Sequence, residues 1–113
     1  MKSNELLVMD IVEAIRRITA YRNGVGRERF LADIMIQDAV IRNLEIIGEA
    51  TKKISEEYRE QHADIPWREM AGLRDVLIHN YGNVDLHIVW KTVASDIPQL
   101  AEAMAALLEQ DES

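Results

Sequence analysis

The sequence predicts an all-α protein, an antiparallel up-and-down bundle of four to five helices, and three observations carry that prediction. Apolar residues recur at spacings of three and four along nearly the whole chain. No segment alternates apolar and polar residues for long enough to make a strand. The breaks fall where Gly, Asn and Pro gather, around Asn23-Gly24-Val25-Gly26, Pro66 and Gly82-Asn83. At 113 residues, the chain has room for a single domain, 1–113, and none for a separate cofactor domain. A hydrophobic fraction of 48% supports a real core and argues against disorder.

Leu6, Leu7, Ile11, Ala14, Ile15 and Ile18 place the first helix over residues 4–19, with Ser3 or Asn4 as its cap. After the Gly24 break, a second helix is expected from Arg27 or Asp33 to Tyr58. Its apolar positions, Ile34, Val40, Ile41, Leu44, Ile47, Ile54 and Tyr58, cover more than one narrow stripe. A helix apolar on two flanks packs on two partners, and another subunit can be one of them. Gly48 inside this helix costs about 1 kcal/mol against Ala, which close approach of another helix would explain. Pro66 suits the first position of a third helix, packed through Trp67, Met70, Leu73, Leu77 and Ile78 and fraying near Asn80. Asp85 opens a fourth, with Leu86, Val89, Trp90 and Val93. Pro98 either kinks that helix or starts a fifth over residues 99–109. Met9, Met35, Met70 and Met104 read as core filler. Trp67 and Trp90 read as core anchors, although Trp67 shares a phase with Arg74 and can line a cleft there.

The charge balance, 13 basic against 20 acidic residues for a net −7, opposes the usual footprint of a nucleic-acid binder. It is uneven, however: +2 over residues 1–32 and −5 over residues 84–113. Arg16, Arg17, Arg22, Arg27 and Arg29 form the basic cluster, a candidate for phosphate contact or, more blandly, a solvated helix end and loop. Aromatic residues are only 5%, which argues against a base-stacking surface. With no cysteine, disulfides, thiol chemistry and Cys-ligated zinc are excluded. Glu5 and Asp10 interrupt the first apolar run, so no signal peptide is read there. No apolar stretch approaches the ~18 residues that would span a bilayer. A cytoplasmic protein without a membrane partner is expected. His62, His79 and His87 lack metal-ligand spacing, and no metal or other cofactor is expected. Glu45 and Glu49 are expected to face solvent or to be neutralised by Arg42, Lys52 and Lys53.

Residues 74–81, Arg-Asp-Val-Leu-Ile-His-Asn-Tyr, carry the chemistry. His79 is suited to trade protons near neutral pH. Arg74 is a natural phosphate clamp. Together they are a minimal kit for metal-free RNA cleavage. A base takes the ribose 2′-OH proton, the oxygen attacks the adjacent phosphorus, and a cation stabilises the charge that builds up. On an ideal helix Arg74 and His79 lie about 140° apart, and Arg74 and Tyr81 only about 20° apart. Convergence of Arg74 and His79 therefore needs either unwinding near His79 or two copies of the motif meeting across a dimer. The fixed cations of residues 63–83 are only Arg68 and Arg74, so a short, exposed or structured target such as a tRNA end is favoured over a long RNA.

The motif, followed by Gly82, Val84, Asp85 and Val89-Trp90, resembles the HepT family of HEPN-domain toxins. So do the upstream run Ile41-Arg42-Asn43-Leu44-Glu45-Ile46-Ile47-Gly48-Glu49-Ala50, Pro66-Trp67, and Asp96-Ile97-Pro98-Gln99-Leu100. The resemblance spans roughly residues 5–105. It implies an all-α homodimer that cleaves RNA without metal, with the Arg and His at a cleft on the dimer axis. Those catalytic roles fall on Arg74 and His79, with Asp75 and Asn80 as supporting motif positions. It further implies a nucleotidyltransferase antitoxin, MntA, which attaches AMP to the motif tyrosine, here Tyr81. A reading from another class is a non-catalytic dimeric module that docks a nucleotidyltransferase or binds a nucleotide. A plain structural bundle leaves the motif unexplained.

Overall fold

The structure, a computed structural model, describes residues 2–77 and 84–112. Among them all regular structure is helical and no strand occurs. Helix α1 spans Asn4–Arg22. Ser3 caps it, its hydroxyl accepting from the Leu6 N–H at 3.2 Å. The helix runs one turn beyond the periodic apolar stripe. The chain reverses only at Gly24, whose φ of 73° is open to glycine without strain.

The single helix expected from residue 27 or 33 to 58 is three: α2 (Arg27–Ala32), α3 (Ile34–Lys53) and α4 (Glu56–Gln61). The breaks come from capping side chains. Asp33 accepts from the Ile36 N–H, and Ser55 accepts from the Tyr58 N–H, each at 3.2 Å. Both residues are extended, so each ends one helix as it starts the next. Asn4 exchanges two hydrogen bonds with Ser55, both at 3.0 Å. That exchange pins the start of α1 to the end of α3 and fixes the two as antiparallel.

Helix α5 (Trp67–Ala71) follows Pro66, which sits at the cap rather than inside the first turn. Gly72 separates α5 from α6 (Leu73–Leu77). Asp85 caps α7 (Leu86–Lys91), its carboxylate accepting from the His87 and Ile88 N–H groups at 3.0 and 3.4 Å. A π turn, Thr92–Asp96, then leads into α8 (Ile97–Glu112). Pro98 is the second residue of α8, so of the two expectations the start of a further helix holds, although α8 begins at Ile97 and follows the π turn directly. The Ile97 N–H reaches back to the Thr92 carbonyl. The widened turn admits a residue that has no N–H and whose ring would crowd a regular α-turn.

One cluster of buried residues joins these helices, with Ile11, Ile18, Val40, Leu44, Ile47 and Val89 at its centre. Each large side chain there contributes about 1.5–3 kcal/mol by leaving water. Helix α3 packs on α1 along one flank and on α5 and α6 along the other. Its second apolar flank is therefore covered within the chain and does not by itself call for a second subunit. Met70 and Met104 are core filler as expected, but Met9 and Met35 are 58% and 83% exposed. Those two lie off the buried stripes of α1 and α3. No helix among the described residues is long and apolar enough to cross a membrane.

Candidate functional site

Helix α6 presents Arg74 because of its apolar neighbours. Leu77 is buried and Leu73 packs against the core, which turns Arg74 and Asp75 outward. The support beneath Arg74 is α3. A Cβ built on Gly48 would lie 3.3 Å from the Arg74 backbone nitrogen, 3.5 Å from the Arg74 Cβ and 3.6 Å from the Ala71 carbonyl oxygen. The close helix approach that Gly48 suggested is thus real, and the segment it admits is the one bearing the motif arginine.

Two ion pairs cross from α3 to α6. Arg74 Nη1 lies 3.9 Å from Glu49 Oε1, and Lys52 Nζ lies 3.8 Å from Asp75 Oδ2. Glu45 pairs with Arg42 at 3.8 Å, as spacing suggested, but Glu49 turns to Arg74 rather than to a lysine of its own helix. The reason is the helix contact at Gly48, which brings α6 alongside α3 within one residue of Glu49. At such distance and exposure a pair is worth about 0–1 kcal/mol. The Arg74 guanidinium is half exposed and only loosely held, so its donors remain open to an incoming phosphate.

His79, Asn80 and Tyr81 lie outside the described residues, as do Ile78 and the Gly82-Asn83 stop. Of the motif, the structure places Arg74 and Asp75. Trp67, considered for the cleft, is buried in the core instead. Its indole N–H donates to the His62 carbonyl at 2.9 Å and its ring meets Tyr58 edge-on at 6.1 Å. A cleft of about 480 Å³ lies between α5–α6 and the π turn, over Met70, Leu73, Ile97 and Leu100, and a second of about 530 Å³ lies between α1 and α8. Arg74 lines neither.

The basic cluster divides. Arg16 and Arg17 both bond Glu13, at 2.6 and 3.2 Å. The hydrogen bond from Arg16 above all, with that from Arg17, holds the Glu13 carboxyl down from 4.5 to about 2. Arg22 and Arg27 turn elsewhere. The Arg22 guanidinium lies 5.1 Å over the Trp90 ring, and Arg27 Nη2 donates to His87 Nδ1 at 3.0 Å. These contacts join residues some sixty positions apart and leave no periodic trace, so sequence reading missed them. His62 stacks on Tyr58 at 4.5 Å. Among the described residues no group of three or more His, Asp or Glu is placed to hold a metal ion.

The family model described as Ribonuclease HepT-like matches residues 11–107. A protein of Thermococcus cleftensis named "Probable ribonuclease HepT" is 50% identical over 99 residues, covering 88% of this chain and 90% of the relative. A "Putative RNase" of Caldanaerobacter subterraneus is 42% identical over 88 residues, covering 78% of this chain and 79% of the relative. A longer protein of Methanocaldococcus jannaschii, named "Gamma-glutamylcyclotransferase and putative RNase", is 40% identical over 109 residues. That match covers 96% of this chain and 49% of the relative. No solved structure matches. The family model covers most of the chain and the relatives carry the same ribonuclease name: the chain belongs to the HepT-like ribonuclease family.

Proposed function

We propose that this protein is the toxin of a toxin–antitoxin pair, an endoribonuclease that cleaves RNA without metal through Arg74 and His79. The observation that carries the reading is the Arg74 guanidinium, exposed, loosely paired and fixed at its backbone against Gly48. His79 takes the proton of a ribose 2′-OH. The freed oxygen attacks the adjacent phosphorus and expels the 5′-oxygen of the next nucleotide, which takes up a proton. Arg74 stabilises the negative charge on the phosphoryl oxygens. Asp75 and Asn80 support the two groups as their motif neighbours. A structured RNA end, such as that of a tRNA, suits a chain with so few cations beside the motif.

The working form is a homodimer whose axis brings two motifs together. The phase mismatch of Arg74 and His79 supports this, as does the uncovered apolar start of α3. Two and four turns before Gly48 lie Ile41, partly buried, and Ile34, 70% exposed. A strict monomer in sedimentation at micromolar concentration would remove the composite cleft. Silencing comes from a partner nucleotidyltransferase of the MntA type that transfers AMP to the Tyr81 hydroxyl. The added phosphate sets bulk and negative charge beside Arg74.

Arg74→Ala and His79→Ala are each expected to lower the cleavage rate by about 10²–10⁴-fold with the helical signal intact. Wild-type activity retained in His79→Ala would refute the assignment of the base. Co-expression with the nucleotidyltransferase should add one or more AMP masses to the peptide spanning residues 74–91, and Tyr81→Phe should abolish the addition. Full neutralisation of unmodified toxin would instead mean inhibition by docking alone.

A further inference from the structure

The net charge of −7 conceals one surface where cations stand without carboxylate partners. Helix α2 begins with Arg27 and carries Arg29, and α1 ends with Arg22. Among the described residues none of these three forms an ion pair, whereas Arg16, Arg17, Arg42 and Arg74 all do. The nearest acids by sequence are Glu28 and Asp33, and Asp33 spends its carboxylate on the Ile36 amide as the α3 cap; across the contact with α7 stands Asp85. Asp85 spends its carboxylate on the backbone amides of His87 and Ile88, as the α7 cap.

Arg22 and Arg27 are gathered by packing. Phe30, buried on α2, meets the Trp90 ring at 5.5 Å, and that contact holds α2 against α7. Trp90 in turn carries the Arg22 guanidinium at 5.1 Å, a cation–π contact that positions the charge. The Arg22 Nε is buried with no hydrogen-bond partner. Arg27 uses one N–H on His87 Nδ1 at 3.0 Å, which leaves most of its five donors uncommitted. Arg27, Arg29 and His87 are exposed. A cluster that served only to join α2 to α7 would gain more from a carboxylate opposite Arg27 than from an imidazole. The location matters as well. His87 lies in the first turn of α7, the helix into which the motif segment runs, and α6, bearing Arg74, packs against α7.

We infer that Arg22, Arg27 and His87 form a second phosphate-binding site, which holds the RNA backbone one or more nucleotides away from the scissile phosphate. The inference rests on the ribonuclease reading for its ligand and adds the positioning groups which that reading lacks. Only Arg68 and Arg74 are fixed cations within residues 63–83, too few to hold a polyanion. The turn between α1 and α2 supplies the missing charge from the far end of the sequence. Arg27 contacts phosphate directly, while Trp90 positions Arg22 beside it.

The test is the salt dependence of binding. The probe is a fluorescein-labelled single-stranded oligoribonucleotide, 2′-O-methylated throughout so that the wild-type protein cannot cleave it. Arg27→Gln should flatten the plot of log Kd against log salt by about 0.7, the value for one phosphate contact on a single strand. Arg27→Lys should restore the slope, because it keeps the charge. Arg16→Gln, whose arginine is committed to Glu13, should leave the slope unchanged. On a cleavable RNA, Arg27→Gln should raise KM and leave kcat at saturation unaltered. An unchanged slope in Arg27→Gln, or an equal change in Arg16→Gln, would overturn the site. Cleavage with no slope change refutes this site alone. Binding with the expected slopes but no cleavage by the wild type refutes the nuclease reading and leaves the site standing.

Discussion

Gly48 is the residue on which the placement of Arg74 turns. Alanine there would gain about 1 kcal/mol of helix propensity. Its methyl would stand 3.3 Å from a backbone nitrogen of α6, which cannot rotate away as a side-chain tip can. Gly48→Val adds two further carbons and a β-branch at the same contact. Overpacking of this kind costs about 1–3 kcal/mol. Gly48→Val should therefore lower the urea midpoint and also displace Arg74, reducing cleavage by more than the loss of folded protein explains. Unchanged specific activity in the folded Gly48→Val protein would mean that Arg74 does not depend on this contact. The glycine was legible in the sequence as a cost without a visible cause. Its neighbour was not, because nothing in the spacing of residues 48 and 74 says that they touch. The same holds for Arg27 and His87, and for Glu49, which local spacing assigned to lysines of its own helix.

At the scale of elements, the helical content, most apolar faces and the breaks at Gly24 and Pro66 could be read from the sequence, while the short helices on either side of α3 could not. Asp33 and Ser55 each divide what periodicity read as one helix, because a capping carboxylate or hydroxyl acts on one backbone N–H and leaves the apolar rhythm intact. Two apolar flanks on α3 were legible too, but the occupant of the second, α5 and α6 of the same chain, was not. Helix α1 offers a test of its surface charges. Glu13, bonded by Arg16 and Arg17, has its carboxyl lowered from 4.5 to about 2, so the folded state binds its proton less readily than the unfolded state. Its stabilising contribution is complete above pH 4.5 and is lost as pH falls toward 2. Because the group is fully exposed, the effect should be small. Glu13→Gln should show a shallower fall in stability across that window than the wild type, with the two curves differing most at neutral pH. Parallel curves between pH 2 and 5 would mean that the pair contributes nothing in solution.

For the whole molecule, the question is how an acidic chain engages a polyanion. The charge is segregated: α8 and the acidic end of the sequence carry the excess of carboxylates, while the end of α1 and the start of α2 bring the unpaired Arg22 and Arg27 against α7. The net charge, read alone, argues against nucleic acid; the uneven charge along the sequence already marks Arg22 and Arg27, and the fold adds the partners that position them. A local positive surface on a negative body also disfavours long, indiscriminate RNA and favours a short structured end. The central claim is that the attacking group is the substrate's own 2′-oxygen, activated by His79 with Arg74 on the phosphate. It is tested most directly with one labelled RNA in excess EDTA, made with either a 2′-OH or a 2′-deoxy sugar at the cleaved nucleotide. The account predicts cleavage of the first only, leaving a 2′,3′-cyclic phosphate or its 3′-phosphate, and its loss in His79→Ala. Cleavage of the 2′-deoxy strand, or activity that disappears with EDTA while surviving in His79→Ala, would contradict it.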